Sequence, residues 1–482
     1  MPNAARSERR WWPPALAIVL ALTAARVAAL AFSRMELFLD ESQYWLWGQS
    51  FAFGYYSKPP LIGWLIGAVT WAAGSDAPFW VRLPAPLLHA GAAMAIGALA
   101  ARHFGRRAGM LAAVGYATLP MVALGSMVIS TDTVMYPALA LALHLWLGVT
   151  GGPGAPGRAL GAGAALGVAL LAKYAALFLL LCVPIAALIR PEARPRPRDA
   201  ALAACAFGAV IAPNILWNLA GSAPTFAHTA DNTGWAREGL ILMPGALAGF
   251  FLAQFAVVGP VVFGGLLWLG LRARRAGPWR QVLLAFSLPI VALLCLQALI
   301  AGAYANWAVA AYAAGTAAVL PWLTRRWRVA SFTINGALCL ALPLAGIMAD
   351  RLSIGGELVM GRYIGRAEMS REIIAGARAA GLSTIVARDR DVLADLFYTG
   401  RDSGLDVRAV PPSGRARNHY QMSWPLSPRP GRVLYVADRA RPPACAPDAR
   451  PLATIAPARG EYRDQPKTLY AVPGDCWATA KR

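Results

Sequence analysis

Two adjacent carboxylates and a lysine stand close together in the segment 34–64, RMELFLDESQYWLWGQSFAFGYYSKPPLIGW. Asp40 or Glu41 could accept a proton from an attacking hydroxyl group or hold a divalent cation. Lys58 could bind a phosphate as a point charge, and the prolines that follow it fix the backbone that directs its side chain. A structural alternative is that Asp40 caps a helix while Glu41 complements the helix dipole. The segment therefore predicts a site for proton or phosphate chemistry, or an ordinary helix start.

A second acid and a second lysine lie further along the chain. Asp132 occurs in VISTDTVMYPAL, and Lys173 precedes Tyr174 in LLAKYAALF. Asp132 could complete the site begun by the first pair of acids, or it could simply help Ser130 to cap a helix. Lys173 could neutralise an acid or an anionic headgroup, or it could extend its ammonium group to a membrane surface. Both interpretations remain open for each residue.

The segment 218–240 is polar enough to line a cavity. It contains His228, Asp231, Asn232 and Arg237. One histidine beside one aspartate is weak support for a metal site, because a metal centre needs several ligands that converge. A divalent metal therefore remains an open expectation.

The composition excludes an ordinary soluble enzyme. The chain has 482 residues, of which 57% are hydrophobic and only 14% charged, and its mean hydropathy is +0.48. Soluble domains carry about 25% charged residues. The formal net charge of +21 could suggest nucleic acid. However, the basic residues before position 350 lie mostly in short loops between apolar runs, as they do in membrane proteins. We therefore expect a multi-pass protein in a lipid bilayer and no nucleic-acid partner.

The apolar runs and the basic loops together predict the topology. Runs long enough to cross a membrane lie at 12–33, 79–101, 107–127, 131–150, 199–219, 241–271, 281–301, 305–323 and 329–349. Basic clusters, expected to be cytoplasmic, lie at 6–10, 102–107, 158, 190–198, 272–280 and 325–328. This alternation requires 60–75 to lie along the interface and 159–189 to form two short spans broken at Lys173–Tyr174. The result is about eleven transmembrane helices, with interfacial helices in the first outer loop. The N-terminus is then cytoplasmic, and Asp40, Lys58 and Asp132 share the outer side.

The composition changes at Asp350. The segment 350–482 holds 21 of the 45 basic residues. Its segments STIVARD, DVLADLFYTG, LDVRAV, RVLYVAD and TLYAVPG are typical of short strands that alternate with one or two helices. We therefore predict a transmembrane domain over 1–349 and a small periplasmic α/β domain over 350–482, ending in an irregular Pro- and Arg-rich tail. In that oxidising compartment Cys445 and Cys476 either form a disulfide or remain two thiols.

A family resemblance rests on several of these segments. DESQYWLWGQSFAFGYYSKPPLIGWLI resembles the first outer loop of polyprenyl-phosphate-dependent glycosyltransferases of the GT-C type. The nearest set is glycosyltransferase family 39, which is similar to protein mannosyltransferases, with bacterial relatives that modify lipid A and lipopolysaccharide with aminoarabinose or galacturonate. STDTVMYPALALALHLW, LLAKYAALFLLL, NILWNLAGSAPTF and ANWAVAAYAA resemble later motifs of the same group. The resemblance covers about residues 34–320.

The resemblance implies an inverting transfer of a sugar from a polyprenyl-phosphate carrier to an acceptor outside the bacterial inner membrane. That acceptor would be lipid A, another lipopolysaccharide sugar, another glycolipid or a protein. By their positions in the motifs, Asp40, Glu41 and Asp132 match catalytic or neighbouring acids, and Lys58 matches the lysine that holds the carrier phosphate. We further expect five substrate-binding residues: Lys58, Lys173, Tyr174, Arg82 and Tyr55.

Two points qualify this resemblance. Ser57 stands where the aminoarabinose transferase has a glutamate, so a metal site that uses this glutamate is not expected to carry over. The alternative function is a multi-pass lipid or solute transporter, which should carry charged residues near the midplane of several spans. Arg26 is the clearest such charge, and the acids instead collect on one side. The distribution of charge therefore favours the glycosyltransferase.

Overall fold

The described residues before Asp350 form a helical bundle. Many of its helices have proline in the first turn, where the missing N–H group breaks no helical hydrogen bond. The structure is a computed structural model that describes residues 11–150, 154–221, 223–234, 241–438 and 440–478. The helices of the first half of the bundle are α1 (Trp12–Ala31), α2 (Leu39–Gly48), α3 (Leu61–Ala73), α4 (Pro78–Arg82), α5 (Pro84–Phe104), α6 (Arg106–Ala117), α7 (Pro120–Gly125), α8 (Thr131–Trp146) and α9 (Pro156–Ala172). The remaining helices are α10 (Phe178–Ile189), α11 (Pro197–Ala220), α12 (Pro224–Thr233), α13 (Pro244–Val258), α14 (Pro260–Leu271), α15 (Pro278–Ala285), α16 (Leu288–Ala301), α17 (Tyr312–Val319) and α18 (Arg325–Ile347). Short 3-10 segments lie at Tyr174–Leu177, Pro191–Ala193, Ala273–Arg275, Ala305–Ala311 and Gly361–Tyr363.

Several of these helices are long and apolar enough to cross a membrane. Within the described residues there are five by length and composition, and a sixth if α13 and α14 form one bent span. The five are Trp12–Ala31, Pro78–Phe104, Pro197–Ala220, Pro278–Ala301 and Arg325–Ile347. Other predicted spans consist of shorter helices, such as α8 and α9. The total of eleven therefore stays a prediction.

The apolar run 241–271, expected as one span, forms two helices. α13 and α14 meet at an angle of 115°. Gly259 between them has φ +85°, a conformation that favours glycine, and Pro260 begins the second helix. A side chain at Gly259 would also collide with Asn335, whose Oδ1 atom lies 2.0 Å from the Cβ position. The bend therefore follows from a local backbone signal inside an apolar run.

The expected break in 159–189 is present at Lys173. α9 ends at Ala172, Lys173 is extended, and a 3-10 turn from Tyr174 leads into α10. The short run 60–75 forms the 13-residue helix α3. The break at Lys173 is therefore confirmed, whereas the interfacial position of 60–75 and the two crossings in 159–189 stay predictions.

The C-terminal part contains a mixed five-stranded sheet, which confirms the predicted α/β composition. The elements of this part are β1 (Ser353–Ile354), β2 (Glu357–Leu358), α19 (Arg366–Ala379), β3 (Thr384–Ala387), α20 (Arg390–Thr399), β4 (Asp406–Ala409), α21 (His419–Ser423), β5 (Arg432–Ala437), β6 (Pro451–Ile455) and β7 (Lys467–Pro473). The strands of the five-stranded sheet run in the order β4-β3-β5-β7-β6, with β3 parallel to β4 and β5, and β7 antiparallel to β5 and β6. A separate hairpin joins β1 to β2. The predicted boundary at 349/350 lies between α18 and β1.

The C-terminal tail is more regular than expected. β6 forms an edge strand in the segment expected to be irregular, and its exposed residues conceal the alternation that marks most strands. Cys445 and Cys476 form a disulfide with a Cα–Cα distance of 5.3 Å. The disulfide alternative, rather than the two free thiols, is therefore the one found.

Polar contacts join the C-terminal part to the bundle. The Glu36 carboxylate accepts hydrogen bonds from the backbone N–H groups of Arg366 (2.6 Å) and Ala367 (3.1 Å) at the start of α19. The Tyr398 hydroxyl donates to the Asp76 carbonyl at 2.7 Å, and α20 packs against α2. α2 carries Asp40, so these contacts bring the C-terminal part to the candidate site.

Candidate active site

Helix α2 positions the first pair of acids. Phe38 is the N-cap residue, and its N–H group donates to Glu41 Oε2 at 3.0 Å. The Glu41 carboxylate therefore accepts the hydrogen bond of the N-cap N–H group, and the alternative that Asp40 is the cap is wrong. Because Asp40 lies inside the first turn, its carboxylate is available for other contacts.

Glu41 is buried in a complete set of hydrogen bonds. Arg82 donates to both of its carboxylate oxygens, from Nε at 2.9 Å and from Nη2 at 2.6 Å, and the Ile129 N–H group donates at 2.9 Å. Arg82 also donates to the carbonyls of Met35 (2.9 Å) and Glu36 (2.7 Å). The Glu41 and Arg82 side chains are 2% and 1% exposed. This arrangement favours a positioning role for both residues over contact with substrate.

Asp40 is the exposed member of the pair of acids. Its side chain is 43% exposed, and its Oδ1 atom pairs with Arg390 Nη2 of helix α20. Arg390 Nε donates to Gln43 Oε1 at 3.0 Å. Asp40 Oδ2 accepts no hydrogen bond from the residues that the structure describes. One carboxylate oxygen is therefore held by the C-terminal part while the other remains open.

Asp132 and Lys173 come together, as the first alternative for Lys173 requires. Lys173 Nζ lies 2.7 and 2.8 Å from the two oxygens of Asp132, and Asn306 Nδ2 donates to Oδ2 at 2.8 Å. Ser130 caps α8 by accepting from the Thr133 N–H group. Because Ser130 does the capping, the Asp132 carboxylate is used for the lysine.

Lys58 lies beside both acids without bonding to either. Its half-buried ammonium group has neither a hydrogen bond nor an ion pair within the described part of the chain. Burial lowers the pKa of Lys58, as do the nearby Lys173 and Arg390, while Asp40 and Asp132 oppose that shift. Lys58 is therefore a cation whose counter-charge can come from a ligand.

A cavity of about 320 Å³ opens beside Lys58. Its polar lining includes Lys58, Lys173, Tyr174 and Asn232, and Trp307 contributes an aromatic wall. The Tyr174 hydroxyl donates to Asn214 Oδ1 at 2.9 Å. Two ammonium groups over an otherwise uncharged cavity are suited to an anionic group with an apolar tail.

A second cavity, of about 600 Å³, lies on the other side of Asp132. Its polar rim includes Asp132, Tyr304, Asn306 and Arg362, whereas the rest of its lining is mainly apolar. The Asp132–Lys173 pair thus stands between two cavities, which is an arrangement that suits two amphipathic substrates.

Tyr55 is engaged in the packing of its own loop. Its hydroxyl lies 2.8 Å from the Trp47 carbonyl and 2.7 Å from the Ser50 carbonyl, and its ring stacks on Trp47 with centroids 4.8 Å apart. Burial raises the pKa of Tyr55 to about 12. These contacts support a role in shaping the loop, and the expectation that Tyr55 binds substrate remains untested.

Tyr44 is a site residue that the sequence reasoning missed. It follows Asp40 by one helical turn, so both lie on the same face of α2. Its side chain is buried, and its hydroxyl makes no hydrogen bond to the described residues. Burial, and then the charge of Asp40, raise its pKa well above the usual value, so the hydroxyl stays protonated. The spacing of DESQY could have indicated this donor.

The polar segment 218–240 does not assemble a metal site within the described residues. His228 Nε2 contacts Asn232 Nδ2 at 3.1 Å, and Asp231 pairs with Arg415. Burial lowers the pKa of His228 to about 4. In the described ranges no group of three or more His, Cys, Asp or Glu side chains could hold a metal ion. Arg237 and the N-terminal basic cluster at 6–10 lie outside the described residues.

Comparison with known proteins shows to which family the chain belongs. The lipid A galacturonosyltransferase RgtD of Rhizobium johnstonii is 40% identical to this chain over 471 residues, which cover 96% of the chain and 98% of the relative. The chain belongs to the polyprenyl-phosphate-dependent glycosyltransferases of the GT-C type. Residues 57–217 of this glycosyltransferase also match the family of dolichyl-phosphate-mannose-protein mannosyltransferases.

Two solved structures share the fold of this glycosyltransferase. ArnT from Cupriavidus metallidurans in the apo state matches with a TM-score of 0.60 and 14% identity, over 95% of the chain and 98% of ArnT. ArnT bound to undecaprenyl phosphate matches with a TM-score of 0.62 and 15% identity, over 96% and 99%. The predicted GT-C fold is therefore confirmed.

Family membership decides between the two functions that the sequence left open. The protein is a multi-pass membrane glycosyltransferase, so the prediction of an enzyme is confirmed and the transporter alternative is not supported. In this glycosyltransferase four of the predicted site residues lie near one another: Asp40, Lys58, Asp132 and Lys173. Their individual roles are the subject of the proposal below.

Proposed function

We propose that this enzyme transfers a galacturonosyl residue from a polyprenyl-phosphate carrier to lipid A. The named activity of the relative, at 40% identity over nearly the whole chain, supports this sugar and this acceptor. The observation that carries the proposal is that Asp40, with one open carboxylate oxygen, lies near the ammonium group of Lys58, which has no partner among the described residues. A transfer from a phosphate carrier needs a base at one side of the sugar and a cation at the other.

In the proposed reaction Asp40 acts as general base. Its open Oδ2 atom takes the proton of the acceptor hydroxyl, and the acceptor oxygen forms a bond to the anomeric carbon. The bond between that carbon and the carrier phosphate breaks, and its electron pair leaves with the phosphate. Because attack and departure occur on opposite faces, the anomeric configuration inverts.

Lys58 stabilises the charge that develops on the departing phosphate. The leaving group gains a negative charge as the carbon–oxygen bond breaks, and a partly desolvated ammonium group favours that charge more strongly than an exposed one. Lys173 assists from the same cavity while it holds Asp132. Asp132, fixed by Lys173 and Asn306, orients the substrates between the two cavities.

We further propose that this site faces the periplasm of a bacterial inner membrane. The basic loops before residue 350 support a cytoplasmic N-terminus and an outer active site. The disulfide in the C-terminal part fits an oxidising compartment. Under this topology residues 1–349 form the catalytic membrane domain and 350–482 a periplasmic domain.

The deciding experiment compares glycolipids from cells with and without the gene by mass spectrometry. The proposal expects lipid A to lose the mass of one hexuronic acid residue and the galacturonyl carrier lipid to accumulate. Purified enzyme supplied with that carrier and lipid A should restore the mass. An unchanged lipid A, with loss of sugar from another glycolipid or a protein, would refute the acceptor. Redistribution of the carrier across the membrane, with no transfer, would refute the activity.

A further inference from the structure

We propose that Arg390 of the C-terminal part binds the carboxylate of the donor sugar and thereby selects a uronic acid over a neutral hexose. The inference rests on the proposed galacturonosyl transfer, and it deepens that proposal by assigning the sugar specificity to one residue. A neutral hexose has a hydroxyl group in place of the carboxylate and would gain far less from a guanidinium group.

Arg390 is held in place independently of any substrate. Its Nε donates to Gln43, which is 1% exposed and whose amide nitrogen lies 3.5 Å from Ser57 Oγ. Helix α20 begins at Arg390, and its N-cap residue Asp389 also accepts a hydrogen bond from Lys467 at 2.7 Å. The guanidinium group thus projects from a fixed helix start onto a fixed amide, as a specificity group requires.

The guanidinium group retains binding capacity. Arginine has five N–H donors, and Arg390 uses one on Gln43 and one on Asp40. The other three have no acceptor among the described residues, and the side chain is 37% exposed. A planar carboxylate can bind to such donors in a bidentate manner.

The other cations near the site are less suitable. Arg82 is buried and uses its donors on Glu41 and two carbonyls. Lys173 is committed to both oxygens of Asp132. Lys58 has no partner in the described part of the chain, but the carrier phosphate requires it in the proposed reaction. Among the cations that interact with Asp40 or line the cavity of Lys58, Arg390 therefore remains for a second negative charge on the donor.

The position of Arg390 fits the chemistry of a hexuronate. The donor carries its carboxylate on C5 and its phosphate on C1, the two ring carbons that flank the ring oxygen, so the cations that bind them must lie beside the same ring. Arg390 and Lys58 both interact electrostatically with Asp40, one through a direct ion pair and the other through space. The proposed base is thus near both cations.

The test measures donor binding by purified full-length enzyme. The probes are farnesyl-phosphate galacturonate and farnesyl-phosphate galactose, which differ only at the carboxylate. Wild-type enzyme should prefer the galacturonate by about 10- to 100-fold, the range that charged hydrogen bonds supply. Arg390→Gln should reduce this preference to about threefold or less, while its affinity for the galactose probe changes little. Arg390→Lys, which keeps the charge and loses the planar fork, should give an intermediate preference.

The preference ratio is the diagnostic quantity because loss of Arg390 also releases Asp40, which alters turnover with either donor. Arg388→Gln is the matched control, since Arg388 is exposed two residues earlier and bonds to Tyr435 instead. An Arg390→Gln enzyme that keeps the wild-type ratio would overturn the inference and leave the proposed function intact. A wild-type enzyme that shows no preference and transfers no galacturonate would overturn the proposed function itself.

Discussion

Adjacent acids in one helical turn have opposite environments. Glu41 and its partner Arg82 are 2% and 1% exposed, and backbone groups satisfy their remaining atoms. Asp40 and its partner Arg390 are 43% and 37% exposed, and they join two parts of the chain that are 350 residues apart in sequence. The two pairs have the same chemistry, so burial and connectivity alone distinguish them.

The difference separates a structural pair from a functional one. A buried ion pair that loses one partner leaves an uncompensated charge in a dry environment, which costs about 3–5 kcal/mol. An exposed pair contributes only about 0–1 kcal/mol to stability. The Asp40–Arg390 ion pair therefore contributes little to the stability of the fold, whereas loss of either partner in the Glu41–Arg82 pair would destabilise the fold strongly.

The largest expected effect is on catalysis by Asp40. Asp40→Asn removes the proposed base without leaving a buried charge, so turnover should fall by about 10²- to 10⁴-fold, the contribution of a general base. The midpoint of thermal unfolding should stay near that of the wild type. Initial rates with the galacturonyl carrier and lipid A, together with a melting curve in detergent, test both statements. Near-normal turnover would place the base elsewhere.

The neighbouring substitution should have the reverse outcome. Glu41→Gln leaves Arg82 buried without its counter-charge, so the free energy of unfolding should fall by about 3–5 kcal/mol. Turnover per folded molecule should change much less than in Asp40→Asn, which is the matched control one residue away. Thermal melting and the yield of folded protein measure the first effect. An unchanged melting midpoint with lost turnover would contradict the structural role.

The same comparison shows what the sequence can predict. The DESQYW segment predicts a helix with acids in its first turn, because acids at a helix start and clustered aromatic residues are local signals. The break at Lys173 follows from the basic loops on either side of a long apolar run, and β3, β5 and β7 follow from their apolar stretches. Local composition and charge alternation are sufficient for these elements.

The partners of the charged residues could not be predicted in this way. Nothing around Arg390 marks it as the partner of Asp40, since the contact depends on how α20 packs on α2. Asn306 approaches Asp132 across 174 residues of sequence. The division of roles between Asp40 and Glu41 is likewise decided by burial, which depends on the tertiary fold rather than on their spacing.

Lys58 and Lys173 differ in the same way as the two acids, and their substitution should have a smaller effect than that of Asp40. Lys58→Met removes an unpartnered cation, so the affinity for polyprenyl phosphate should fall by about 10- to 100-fold, with little change in stability. Lys173→Met instead leaves Asp132 without its ammonium partner and should lower the melting midpoint. Binding of farnesyl phosphate and thermal melting of both variants measure the contrast. Equal loss of affinity and equal loss of stability in the two variants would remove the distinction between a free and a paired lysine.

The smallest expected effect is on the pH dependence of phosphate binding. Burial and Lys173 lower the pKa of Lys58 from its ordinary value of 10.5, so this lysine loses its proton at a lower pH than an exposed one. The affinity for farnesyl phosphate should therefore decline as pH rises through a value below 10.5. The Tyr44 hydroxyl cannot cause that decline, because its own pKa is raised well above the usual value. Lys58→Arg should move the decline to higher pH, since a guanidinium group keeps its proton throughout this range. A decline at the same pH in Lys58→Arg would show that another group controls phosphate binding, and Lys58 would then lose its role as the cation that receives the leaving group.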